Sequence, residues 1–157
     1  MKEYEYNLKV KSVEPYIKYC ESNKYTFKGI FQQNRIVYEN NYSKDIIARI
    51  TTTIENGRET CFFDCKNFSH KDSNLQVAEE SLELEVTSDN REQIESILKV
   101  LNFYQSANNT RNRYIYQKKD IKFEIDDYTS PPMCIVGIEG KKEMVDKVYS
   151  EIKNFDK

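Results

Sequence analysis

The chain opens on a strict alternation. In Glu3-Tyr4-Glu5-Tyr6-Asn7-Leu8-Lys9-Val10 the odd positions are charged or polar and the even ones apolar or aromatic. A period of two sends successive side chains to opposite faces of a β-strand. Tyr4, Tyr6, Leu8 and Val10 therefore face a core, and Glu3, Glu5, Asn7 and Lys9 share the other face. The same parity recurs along the chain. "IKFEID" sets Ile121, Phe123 and Ile125 against Lys122, Glu124 and Asp126, and "LELEV" sets Leu82, Leu84 and Val86 against Glu83 and Glu85. "CFFDCK" opposes Cys61, Phe63 and Cys65 to Phe62, Asp64 and Lys66, and "IIARITTT" opposes Ala48 and Ile50 to Arg49 and Thr51. Gln33 and Arg35 share a face in "FQQNRIVYEN", as do Arg111 and Arg113 in "TRNRYIYQ". "MCIVGIEG" puts Cys134, Val136 and Ile138 opposite Ile135, Gly137 and Glu139.

Three segments change period and read as amphipathic helices. "SVEPYIKYCESNKY" has Ser12 to cap and Pro15 in the first turn. "SDNREQIESILKVLNF" has Ser88 or Asp89 as N-cap and Ile94, Ile97, Leu98 and Leu101 as its apolar face. "KKEMVDKVYSEIKNF" carries a stripe of Met144, Val145, Val148 and Ile152. About eight strands and three such helices fit two architectures. One is an open antiparallel sheet with helices on one side and water on the other. The other is a closed barrel with helices outside and a charged interior. Acids and bases are spread over all the strands, so periodicity leaves the choice open.

Composition narrows the function. A length of 157 residues fits one domain. With 24 basic and 26 acidic residues the net charge is −2, which gives no general attraction to nucleic acid or to an anionic membrane. No apolar run is long enough to span a bilayer. The charged start lacks the apolar core of a signal peptide, so a cytoplasmic location is expected. Cys20, Cys61, Cys65 and Cys134 have neither zinc-knuckle nor redox spacing and read as buried free thiols. The single histidine, His70, sits in the loop-like "NFSHKDSN", which argues against a histidine metal site or a catalytic triad.

The order of the strands resembles the CYTH family, which groups class IV adenylyl cyclases with thiamine triphosphatases and other triphosphate tunnel metalloenzymes. "EYEYNLK" is similar to the family's Glu-x-Glu-x-Lys strand, with Glu3 and Glu5 kept, Asn7 at the lysine place and Lys9 one step on along the same face. "QQNRIVYEN" resembles its second strand. "IIARIT" keeps one arginine of Ala-Leu-Arg-Ile-Arg, Arg49, with Thr51 in place of the other. "FDCK" matches Leu-Thr-x-Lys through Lys66. "SLELEV" matches Arg-x-Glu-x-Glu through Glu83 and Glu85, with Ser81 for the arginine. Arg111 and Arg113 take a Lys-x-Arg place, "FEIDD" supplies Asp126, and "IVGIEG" keeps Glu139 with Gly137 for a glutamate.

The resemblance covers nearly the whole chain. It implies an α+β fold, a closed antiparallel barrel of about eight strands with flanking helices. It implies Mg²⁺ or Mn²⁺ held by Glu3, Glu5 and Glu139, with Asp126 alongside. It implies phosphate contacts from Arg35, Arg49, Lys66, Arg111, Arg113 and Lys9, with Lys9 and Arg113 in catalytic places. Glu83 and Glu85 either pair with these bases inside the barrel or join the ligand site. Hard carboxylate oxygens bridge such a cation to phosphate, and arginine grips phosphate oxygens two at a time. The implied ligand is ATP, thiamine triphosphate or tripolyphosphate. Water attacking the terminal phosphorus makes a triphosphatase, and a ribose 3′-hydroxyl attacking the α-phosphorus makes a cyclase. The replacements at Asn7, Thr51, Ser81 and Gly137 leave a second reading, a CYTH-like protein that binds nucleotide or polyphosphate without turnover.

Overall fold

The computed structural model describes residues 2–72 and 74–156. In chain order its elements are β1 (Lys2–Val10), α1 (Glu14–Ser22), β2 (Thr26–Asn40), β3 (Ile46–Glu55), β4 (Arg58–Asp72), β5 (Leu75–Glu80), β6 (Leu84–Glu85), α2 (Arg91–Val100), β7 (Phe103–Lys118), β8 (Ile121–Ser130), β9 (Pro132–Gly140) and α3 (Lys142–Ile152). The strands pair in the order β3-β2-β7-β8-β9-β1-β5-β4, and β4 pairs back onto β3. The sheet is therefore a closed, eight-stranded antiparallel barrel. β6 is a short ninth strand laid against Phe62 and Phe63 of β4. With the three helices this is an α+β fold. Of the two architectures open to the sequence pattern, the barrel is the one realised.

The period-two alternation now has a physical reading: the greasy face is the outside of the barrel, and the helices cover it. Leu8, Phe123, Ile125, Val136 and Ile138 pack with Tyr16 and Cys20 of α1 and with Val145, Val148 and Ile152 of α3. A second core joins Ala48 and Ile50 of β3 to Val86 and to Ile94 and Leu98 of α2. Burying each large aliphatic side chain contributes about 1.5–3 kcal/mol. The helices thus hold the barrel from without and leave its interior to the charged face. Tyr6 stacks on Tyr149 at 4.0 Å and donates a 2.6 Å hydrogen bond to Asp146, tying β1 to α3. Among the described residues no helix is long and apolar enough to cross a membrane.

The sequence-based expectations need several corrections. α2 begins at Arg91 with Asn90, not Ser88 or Asp89, at the N-cap position; its side chain makes no capping bond to the helix and instead accepts the backbone N–H of Thr87. Only Ile94 and Leu98 of its expected face are buried; Ile97 and Leu101 are exposed, because the helix touches the barrel along one narrow stripe. The helix ends at Val100, and just beyond its C-cap Leu101 the chain turns away at Asn102, whose φ of 64° is a left-handed conformation that asparagine tolerates. Of the "LELEV" segment, only Leu84 and Glu85 pair as strand. The barrel strand there is β5, which lies just before it. His70 lies not in a loop but on the exposed part of β4. The cysteines are free, with Cys20 buried and the other three half-buried.

Candidate metal and anion site in the barrel lumen

Every strand of the closed barrel turns its polar parity inward. β1 supplies Glu3, Glu5 and Asn7, β2 supplies Gln33 and Arg35, and β3 supplies Arg49 and Thr51. β4 adds Asp64 and Lys66, β5 adds Glu80, β7 adds Arg111 and Arg113, and β9 adds Glu139. β8 contributes four in a row at spacing two: Lys122, Glu124, Asp126 and Tyr128. Together they line a cavity of about 480 Å³, the size of a small-molecule site. Eight carboxylates and six cations face it, so its formal charge is −2. It is not a simple anion hole.

Most of these charges neutralise one another across strands. Arg49 grips Asp64 through Nε at 2.9 Å and through Nη2, which also reaches Glu80. Lys66 is buried, 3.3 Å from both Glu3 and Glu5 and 3.8 Å from Glu80. Arg113 forks onto Asp126 at 2.8 and 2.9 Å and also bonds Glu124. Arg111 donates to Gln33 at 2.9 Å, to the Tyr128 hydroxyl at 2.8 Å and to Asp126 at 3.3 Å. Lys122 lies 3.1 Å from Glu139 and 3.4 Å from Glu124.

The protonation states follow from these neighbours. Burial pushes Glu124 up, but Arg113, Lys122 and Arg111 outweigh it and hold the carboxyl down at about 2. Burial, a hydrogen bond with Glu80 and the charge of Glu139 push Glu3 up to about 8. The same bond holds Glu80 down, against its burial. Glu3 is therefore the protonated member of that pair at neutral pH. Burial and the charges of Glu124 and Glu5 raise Glu139, with Lys122 opposing.

Glu5, Glu124 and Glu139 converge, with one carboxylate oxygen of each within 4.8 Å of the others. Register causes this. Glu5 lies directly opposite Glu139, and Gly137 lies between Asn7 and Glu124. A Cβ at Gly137 would come within 3.1 Å of Glu5 Oε1 and 3.2 Å of Asn7 Oδ1. The glycine thus leaves the space that the Glu5 and Asn7 side chains occupy. Like charges placed directly opposite one another destabilise a sheet. Three hard oxygen donors around one point suit Mg²⁺ or Mn²⁺, so the residues present fit such an ion.

No protein-family model matches the chain. No curated protein sequence matches it either. Solved structures do. The PH1012 protein from Pyrococcus horikoshii OT3 is 22% identical with a TM-score of 0.72, over 97% of this chain and 93% of that one. HpAC1 from Hippeastrum, described as a proposed adenylyl cyclase with a dominant triphosphatase activity, is 11% identical with a TM-score of 0.64, over 98% and 85%. A chain of the Schizosaccharomyces pombe Mediator head module is 11% identical with a TM-score of 0.67, over 100% and 97%. At these identities the likeness is one of fold.

Of the residues singled out in the sequence, Glu3, Glu5, Glu139, Arg35, Arg49, Lys66, Arg111, Arg113 and Asp126 all face the lumen. Asp126, expected beside a metal, instead lies in a clamp of Arg111 and Arg113. Glu3, also expected there, pairs with Lys66 and Glu80. Lys9 keeps the right parity but is exposed and outside the cavity. β5 pairs with β1 only as far as Tyr6, so that wall has ended before Lys9. Glu83 reaches the cavity from an exposed position, while Glu85 is exposed and does not line it. The acid that the barrel uses there is Glu80, at the end of β5. Lys122 and Glu124 are two further lumen residues given no role from sequence. The signal for them was present in "IKFEID", which already put both on the face of Asp126.

Proposed function

We propose that this chain is a divalent-cation-dependent enzyme acting on a triphosphate, with hydrolysis as its simplest reaction. The observation that carries this is the convergence of Glu5, Glu124 and Glu139 in the same closed lumen as Arg49, Lys66, Arg111 and Arg113. A triphosphate carries several negative charges at neutral pH, and a lumen in which carboxylates still outnumber cations once Glu3 is protonated repels it unaided. Mg²⁺ or Mn²⁺ held by the three glutamates would offset their charge and polarise phosphate oxygens. The chain's own cations then have their separate part. The forks of Arg113 and Arg49 grip Asp126 and Asp64, so phosphate oxygens would displace these carboxylates to reach them, and Lys66 would add a point charge. The barrel wall keeps bulk water away and so strengthens each contact. The fold shared with HpAC1 supports the same ligand class.

The test is product analysis. Purified protein with Mg²⁺ or Mn²⁺ is given tripolyphosphate, thiamine triphosphate and ATP, and phosphate, pyrophosphate and cyclic nucleotide are measured. Released phosphate supports hydrolysis, and a cyclic nucleotide with pyrophosphate makes it a cyclase. Glu5→Gln should remove at least about 100-fold of any activity, the loss expected when a residue holding the catalytic ion goes. An unaffected rate places the chemistry elsewhere.

A second reading is binding without turnover. Asn7, at the place of the motif's lysine, is held by a 3.2 Å hydrogen bond to Gln76 and carries no charge. This reading expects a triphosphate to raise the melting temperature while remaining intact. Flat melting curves with every triphosphate remove it.

A further inference from the structure

Outside the barrel the structure holds a second cavity, of about 340 Å³, between α1, α3 and the turn that joins β7 to β8. The barrel wall separates it from the lumen. Ile121 and Val148, both buried, give it an apolar lining with Met144, while Lys122, next to Ile121, faces the lumen. Tyr19 and Tyr25 add two aromatic rings, with centroids 6.3 Å apart and both braced against Phe123. The charges here are mostly of one sign. Lys118, Lys119 and Lys147 line the cavity against a single carboxylate, Glu151, so its formal charge is +2. The chain as a whole is at −2. Glu151 is already engaged, since the Tyr19 hydroxyl donates to it. Among the described residues none of the three lysines has a carboxylate within ion-pair distance. Lys118 donates to the backbone carbonyl of Asn23 at 2.8 Å and lies 5.5 Å from the Tyr25 ring centre. The ammonium groups of Lys119 and Lys147 have no acceptor among the described residues. The Tyr25 hydroxyl has no hydrogen-bond partner there either, and burial holds it up at about 12, so it keeps its proton.

We propose that this outer cavity binds a small planar aromatic anion, a ring bearing a phosphate or a carboxylate group. Each half of the ligand answers one half of the cavity. A flat ring buries its faces against the tyrosines, Ile121 and Val148, and contact between aromatic rings is favourable beyond the area it covers. The anionic group takes the protons of Lys119 and Lys147, which act as point charges and ask for no bidentate geometry. The Tyr25 hydroxyl is a further donor. An inorganic anion would leave the apolar lining wet, and a neutral ring would leave the gathered lysines repelling one another. Lys119 reaches the cavity from the tight turn with a φ of 53°, a conformation in which asparagine or glycine is less strained, so the turn itself does not call for a lysine. The size suits one ring system and its charged group. No lumen residue lines this cavity, so the inference is independent of the triphosphate reading.

The experiment is an amide-resolved NMR titration of the full chain in EDTA, on wild type, Lys119→Glu and Lys147→Glu. The probes are phenyl phosphate, benzoate and AMP, with orthophosphate as the control that lacks a ring and phenol as the control that lacks a charge. Phenyl phosphate should shift amides within residues 19–25, 118–121 and 144–151, with a Kd of about 1 mM or tighter. Orthophosphate and phenol should each bind at least about ten-fold more weakly. Each charge reversal should weaken phenyl phosphate by about ten-fold or more, the loss expected when a charge-assisted hydrogen bond goes. Melting temperatures should not fall, since both lysines are exposed and their ammonium groups have no acceptor among the described residues. AMP binding more tightly than phenyl phosphate makes the ligand a nucleotide, and benzoate binding at least as tightly makes it an aromatic acid; any other order leaves an aryl phosphate. Shifts confined to lumen residues, equal affinity for orthophosphate or phenol, binding indifferent to both reversals, or no shift with any probe overturns the proposal, and none of these results bears on the triphosphate reading.

Discussion

Replacing Arg113 with methionine tests whether the lumen is an ion-pair network that holds itself together. Methionine keeps much of the length and removes the fork. The change deletes the bidentate grip on Asp126, at 2.8 and 2.9 Å, and the bond to Glu124. Asp126 is buried with 4% of its surface exposed and Glu124 with 9%, so water does little to replace the lost partner. Breaking a buried pair by removing one member costs about 3–5 kcal/mol. Asp126 retains Arg111 at 3.3 Å and Glu124 retains Lys122 at 3.4 Å, which places the expectation near the lower end, about 3 kcal/mol. For a chain of this size that is a drop in melting temperature of roughly 6–12 °C. Urea unfolding followed by circular dichroism, with a thermal melt alongside, measures it.

The pH dependence gives a sharper check. In the wild type Glu124 is held down to about 2, below its ordinary 4.5. The stability it adds is fully present above 4.5 and is lost as pH falls through 2. Without Arg113 that contribution is largely gone at neutral pH. The gap between wild type and variant should therefore be widest above 4.5 and narrow on acidification toward 2. A loss below about 1 kcal/mol at pH 7, the value of a surface pair, or a gap that widens in acid, refutes the reasoning.

Two further predictions follow from the same cavity. Glu3 is held up to about 8, so the stability linked to its proton is present below 4.5 and is lost as pH rises through 8; Glu3→Gln should flatten the alkaline decline in melting temperature, and an unchanged decline counts against a protonated Glu3. Lys122 sits between Glu124 and Glu139 as a resident cation, so Lys122→Gln should tighten Mn²⁺ binding by at least about ten-fold in calorimetry, and equal or weaker binding shows that the lysine does not compete for those carboxylates.

The alternation of residues determined which side chains share a face, and it did so accurately for Glu3, Glu5, Arg49, Lys66, Arg111, Arg113 and Glu139. A period of two is a local property of the backbone, fixed by the pleat and independent of what the strand packs against. The apolar stripe that docks α3 was legible in the same local way, from the helical period of 3.6 residues. The segment from Leu75 to Glu80 was not. Ala78 interrupts its alternation, and the run of Leu82, Leu84 and Val86 that follows is a stronger pattern than the strand itself.

What the polar face meets was decided only by tertiary structure. The charged side chains face a lumen because β4 pairs back onto β3 and because β1 pairs with both β5 and β9, bringing together residues far apart in the chain. Register then chooses the partners. It puts Glu5 opposite Glu139, leaves room at Gly137 for both Glu5 and Asn7, draws Asp126 between two arginines, and ends one wall before Lys9. The sequence states that acids and bases will share one surface. Which of them neutralise one another, and that Arg35 is left without a carboxylate among the described residues, depends on distances of a few ångströms that pairing and closure set.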